Sequence, residues 1–288
     1  MENETSNATP AEAAQPAGTD AGRKDPDRFG KFRNLVITER DRQILLLLNG
    51  LGVANGRHLR FLLSPATSLE TFSTRLLGLE RKGFLRSFRE DHAPKGTPKI
   101  YALATGKGKL AEITQIIGRQ ARNLRLGERH IHFNHTLAIV RLLCHIVGVL
   151  RSKSPTWVFD PSRFVSQWDI LEKVRAAEAA DPTKPAKHPL PDGFLMVGNG
   201  VIGLEAELSQ TYANWKGKVV QWSDLSFYWD SPNFSPWLSP RSSSDKKPQR
   251  VLFVSVPSRK ADRYRVLSKP LEVITRLHIL QEEELAKA

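Results

Sequence analysis

Between residues 38 and 103 three stretches of helical apolar spacing follow one another closely, and two short β-type runs around a basic, glycine-containing loop come next. Few small folds accept that order. Thr38 with Asp41 three residues later is an N-cap pattern, and Ile44, Leu45, Leu47 and Leu48 form the buried stripe before Asn49 and Gly50 end the helix. A second helix is predicted over 55–63, with Leu59, Leu62 and Leu63 inward and Ser64-Pro65 as its stop. A third, over 68–82, repeats Leu69, Phe72, Leu76 and Leu79 at steps of three and four, and Gly83 closes it. Residues 84–88 and 100–103 read as paired strands around REDHAPKGTPK, and Thr105 can cap a fourth helix over 107–118 carrying Leu110, Ile113 and Ile116 or Ile117. This order predicts a winged helix-turn-helix over 31–120.

The apolar stripe of the third helix decides what it leaves outside: Thr71, Ser73, Thr74, Arg75 and Arg81. Short polar groups and arginines on such a helix suit the major groove of duplex DNA. Arg75, near the centre, is assigned a base or phosphate contact, and Thr71 and Thr74 an approach to base edges. Arg81, Lys82 and Arg86 are assigned to phosphates, and Lys95 and Lys99 of the wing to the adjacent backbone or minor groove. The charge balance agrees. The whole chain is at +13 although residues 1–28 carry six acids against three bases, so the basic excess belongs to the remainder and favours an anionic partner.

Residues 1–30 have no aromatic but Phe29 and read as a disordered tail with no apolar core of a secretory signal. Arg141 and His145 break the longest apolar stretch, 136–150, which reads as a packed helix and not a membrane span. A cytoplasmic location is expected. The single cysteine, Cys144, sits among Leu142, Leu143 and Ile146 and reads as a buried structural thiol. Walker and dinucleotide-binding patterns are absent.

After a junction at 121–131, the region 132–275 changes character and holds all six tryptophans. PDGFLMVGNGVIGLEAEL reads as strand, glycine turn, strand; a helix capped by Ser209 or Thr211 follows, then a strand over 251–256 and a helix opening at 261. A mixed α/β domain is expected here, and 276–288 is expected to be a charged C-terminal tail.

On ITERDRQILLLL, FSTRLLGLERKGFL, GTPKIYALATGKG, HFNHTLAIV and LPDGF with GLEAEL, the chain resembles the replication-relaxation family of plasmids and mobile elements over roughly 35–265. That resemblance implies DNA binding linked to replication, relaxation or transfer. The second domain also looks like a restriction-endonuclease-like core, in which an acid after proline is followed by an acid and a lysine one residue apart. Asp192 follows Pro191, Glu205 takes the second acidic position, and Glu207 stands where the lysine belongs. Glu205 and Glu207 share a strand face and could join Asp192 around Mg²⁺, with Lys216 or Lys218 supplying a replacement amine. His130, His132, His135 and His145 lack the accompanying cysteines or acid of a zinc site. Three functions follow as expectations: a non-catalytic DNA-binding accessory or regulator needing no cofactor, a Mg²⁺-dependent nuclease or nickase, and an adaptor for replication or transfer proteins. A homodimer reading paired half-sites is compatible with the first.

Overall fold

A computed structural model describes residues 36–89, 98–122, 130–180, 191–198, 200–208, 215–219, 250–257, 261–272, 276–281 and 285. They belong to one compact unit, Val36–Ala288. It is a mixed α/β structure with several helices and two sheets.

The first helix, α1 (Glu39–Leu51), starts as its sequence dictates. Thr38 and Asp41 form a reciprocal capping box, with Asp41 N donating to Thr38 Oγ1 at 3.4 Å and Thr38 N to Asp41 Oδ2 at 2.7 Å. Ile44 to Leu51 are all buried, a run apolar all round that requires cover on every side. β1 (Val53–Asn55), α2 (Gly56–Leu63) and α3 (Leu69–Arg81) follow, then the hairpin β2 (Leu85–Phe88) and β3 (Ile100–Leu103). The three strands are antiparallel in the order β1-β3-β2. β1 escapes the sequence reading because three residues are too short to show a period. In α3 the expected stripe holds at Phe72, Leu76 and Leu79, but Leu69 is 41% exposed in the first turn. Next is α4 (Lys107–Ile117), which buries Ile113 and Ile117; its N-cap is Gly106, without a side-chain cap bond, instead of Thr105.

The long α5 (His130–Lys153) packs on β1 and α2 with one side and on the second sheet with another. Its segment Asn134–Lys153 is, among the described residues, the one helix long and apolar enough to cross a membrane, and 44% of the apolar window is buried inside the protein. Burial pushes the Cys144 thiol up, as suits a packed, unreactive group. A turn of 3₁₀-helix at Pro161–Arg163 leads into β4 (Phe164–Ser166) and α6 (Gln167–Ala180), neither of which the sequence signals. β5 (Gly193–Val197), β6 (Gly200–Ala206), β7 (Arg250–Val256), α7 (Ala261–Glu272) and β8 (Arg276–Gln281) complete the described elements. The second sheet runs β4-β5-β6-β7-β8, antiparallel through β6 and parallel from β6 to β8. The expected tail at 276–288 is corrected by β8: Leu277 and Ile279 alternate within RLHILQ, and the strand pairs with β7 from Arg276 to Gln281.

Two glycines hold the parts in register. A Cβ at Gly193 would lie 2.9 Å from Phe164 Cε2 and 3.1 Å from the Val165 carbonyl, so only glycine lets β4 press onto β5 there. At the other end of β5, Gly198 takes φ +55° and turns the chain into β6. The first sheet's helices meet the second sheet through polar contacts at α1: buried Asn49 accepts from Arg122 N at 2.8 Å and donates to the Gln120 carbonyl at 3.2 Å, while Arg122 Nη2 lies 2.6 Å from Asp169 of α6.

Candidate functional site

On α3 the structure separates the residues that the sequence grouped together. Thr71, Thr74 and Arg81 are exposed, and Lys82 is half-buried at the C-cap. Thr71 accepts a hydrogen bond from Ser68 Oγ at 2.9 Å within the N-cap turn. Arg75 has a different task. It turns inward onto Asp41: Nε donates to Oδ1 at 2.7 Å, Nη2 to Oδ2, and Nη2 also to the Val36 carbonyl at 2.7 Å. Burial alone would raise the Asp41 pKa, but hydrogen bonds from Arg75 and Thr38 hold it below the usual range. Arg75 therefore ties α3 to α1 and is withdrawn from the outer face. Arg86 is half-buried on β2, and Lys99 pairs with Glu80 at 3.3 Å, an acid that also accepts from Ser87 Oγ. Lys95 lies outside the described residues.

The carboxylates of the second sheet do converge. Asp192 stands just before β5, and the antiparallel register that sets Gly193 against Leu204 continues to Asp192 opposite Glu205. Its position is fixed from two sides: Ala206 N donates to Oδ2 at 2.7 Å, and Gln167 N donates to its carbonyl at 3.0 Å. Glu205 and Glu207 project from the same side of the end of β6, where Glu207 N donates to the Ser255 carbonyl of β7 at 2.9 Å. All three acids are buried, Glu205 completely.

The cation that compensates them is Lys218. Its ammonium donates to Glu205 Oε1 and lies 3.3 Å from Glu207 Oε2. It sits on the helical turn 215–219, anchored by the fully buried Trp215, whose ring meets that of Tyr264 on α7 at 5.5 Å. Lys216 is exposed. Two helical residues rotate a side chain by about 200°, so only one of the two lysines can face the acids, and Lys218 shares the face of Trp215 at i+3. From α5, His135 Nε2 approaches Asp192 Oδ2 at 3.3 Å. Burial lowers the His135 pKa, but the Asp192 hydrogen bond and the charges of Asp192 and Glu205 raise it by more, leaving it above its ordinary value.

Burial and the neighbouring Asp192 charge push the Glu205 carboxyl up to about 8, against the opposing pull of Lys218. Its second oxygen, Oε2, is buried without a hydrogen-bond partner among the described residues. Asp192 thus faces His135, while Glu205 and Glu207 share Lys218. Among the described residues no group of three or more His, Cys, Asp and Glu is arranged to hold a metal ion. The oxygen donors suit a hard divalent cation, but the position between Glu205 and Glu207 is taken by the ammonium, and a metal would have to displace it. His135 is the site residue that sequence reasoning missed as Asp192's partner; the two lie 57 positions apart, and no local pattern links them. No protein-family model, curated protein or solved structure matches the chain.

Proposed function

We propose that the chain binds duplex DNA through a winged helix-turn-helix made by α1, α2, α3 and the β2–β3 hairpin. It would act as an accessory or regulatory protein of plasmid or mobile-element replication, relaxation or transfer, in the manner of the replication-relaxation family it resembles. One observation carries the reading. α3 buries Phe72, Leu76 and Leu79, is pinned to α1 by Arg75 and Asp41, and turns Thr71, Thr74 and Arg81 outward beside an antiparallel hairpin. A rigid helix with short polar groups and a terminal arginine outside is what major-groove reading requires. The test is fluorescence anisotropy of the full-length protein with duplex and single-stranded DNA over a salt series. Tight duplex binding is expected, with a log–log salt slope of about 0.9 for each phosphate neutralised. It should weaken in a Thr74→Ala, Arg81→Ala double variant that remains folded. No duplex binding at low salt by a folded sample overturns the reading and moves a protein adaptor ahead of it.

A second reading, Mg²⁺-dependent phosphodiester cleavage on a restriction-endonuclease-like core, is favoured by the convergence of Asp192, Glu205, Glu207 and Lys218. The strand order, an antiparallel meander β4-β5-β6 followed by parallel β7 with the acids gathered where β5 starts and β6 ends, supports it. Here Lys218, not Lys216, would be the amine that replaces the missing lysine at 207. Nicking of plasmid DNA that needs Mg²⁺ and is lost in Asp192→Asn is expected under this reading; activity persisting in that variant excludes the site.

A further inference from the structure

The flank of α3 that carries Leu69, Ser73 and Leu77 borders a groove of about 370 Å³. Its apolar lining is Leu69, Leu77, Pro98 and Tyr101, and its polar lining is Arg57 at the start of α2, Ser73 of α3, Arg89 after β2 and Lys99 before β3. Arg57 and Arg89 are exposed, and neither has an ion-pair partner among the described residues, whereas Lys99 shares Glu80. Three cations from three separate elements facing one concavity repel one another, and a cleft lined by one sign of charge concentrates field on whatever anion enters. The positive end of α2 adds to that potential. Two guanidinium groups and a hydroxyl match the oxygens of a phosphodiester.

We infer that this groove seats a backbone phosphate of duplex DNA, with Arg57 and Arg89 as the principal contacts and Ser73 and Lys99 beside them. The inference rests on the DNA-binding reading and deepens it. Residues 69, 73 and 77 form the helical row next to 70, 74 and 81, so a duplex lying over the outer face of α3 carries its backbone past the groove. Arg57 and Arg89 thus join Arg81, Lys82 and Arg86 as phosphate contacts, and they act without regard to base sequence.

The test compares full-length wild type with Arg57→Gln, Arg89→Gln and with a control, Arg175→Gln, Arg265→Gln, which removes two exposed charges from α6 and α7. Anisotropy is measured on two short duplexes of unrelated sequence across a KCl series. The groove variant is expected to lower affinity equally for both duplexes and to reduce the log–log salt slope by about 0.9, the value for one phosphate, while the control stays near wild type. Ser73→Glu, an exposed helix position, places a carboxylate in the groove and should weaken binding as well. If wild type binds and the groove variants bind equally well, or the control loses as much as they do, the phosphate seat is overturned and the DNA reading stands. If wild type binds no duplex, both fall together.

Discussion

The guanidinium of Arg75, midway along α3, donates to both carboxylate oxygens of Asp41, a fully buried acid in the first turn of α1 that also completes the capping box with Thr38. One carboxylate thus starts one helix and holds another. Arg75→Ala should cost on the order of 3 kcal/mol in chemical denaturation, because it leaves a buried charge without its partner. Arg81→Ala, at an exposed position, should stay within about 0.5 kcal/mol of wild type. The opposite ranking would show that Arg75 does not serve as a structural tie.

The depressed Asp41 pKa sets a second expectation. A carboxyl held below its unfolded value contributes stability above about pH 4, lost as the pH falls through the folded value. Acid unfolding should therefore begin at higher pH in Asp41→Asn, with wild type keeping an advantage near neutrality.

At the acid cluster the sign reverses. Glu205 is raised to about 8, so the folded state holds a proton that the unfolded chain has released by neutral pH, and this group's contribution declines as the pH rises from about 4.5 to about 8. His135, also raised, contributes stability below about 6.5 that is lost as the pH passes its folded value, so both act in the same direction. Glu205→Gln should flatten the fall in stability between pH 5 and 8, by an amount on the order of a few kcal/mol, as read from urea midpoints at the two pH values. An unchanged slope would show that Glu205 is ionised in the folded protein.

Lys218→Met should destabilise by roughly 3 kcal/mol, since Glu205 and Glu207 lose the cation they share. Lys216→Met, outside the cluster, should be close to neutral. Added Mg²⁺ should raise the melting temperature of Lys218→Met more than that of wild type if a divalent ion takes the vacated position, a mass-action effect absent when the acids do not bind it.

Asn49→Ala removes both the acceptor for Arg122 N and the donor to Gln120, and should cost about 1–3 kcal/mol while speeding hydrogen exchange at the Arg122 amide.

These residues also mark where sequence reasoning stops. The capping box of α1, the buried stripe of α3 and the β2–β3 pair are local patterns, and each is legible from spacing alone. The inward turn of Arg75 is not, because its partner lies 34 positions away and an arginine beside an apolar stripe reads the same whether it points at solvent or a carboxylate. β1 and β4 span three residues each, below the length at which a period of two can be distinguished from chance. For the acid cluster, Asp192, Glu205 and Glu207 were legible as a group, and the preference for Lys218 over Lys216 was within reach: Trp215 and Val219 mark the inward face of that turn, next to which Lys218 falls. His135 reaches Asp192 only through the packing of α5, which no local pattern reports.

The tight turn after Val197 has a consequence for how the protein assembles. Asp192 and Glu205 are joined by one antiparallel hairpin, a contact between near neighbours in the chain that forms early and quickly. β7 reaches β6 only by a parallel crossover, and Lys218 lies within that crossover, so the two acids are local to one another in the chain while their cation arrives with a longer-range connection. A hairpin formed before the crossover would hold closely spaced carboxyls with no ammonium beside them, and their repulsion would oppose closure wherever both are ionised. Refolding is therefore expected to run faster in mildly acidic solution, where the carboxyls take up a proton more readily, than at alkaline pH, as stopped-flow rates at the two pH values would show.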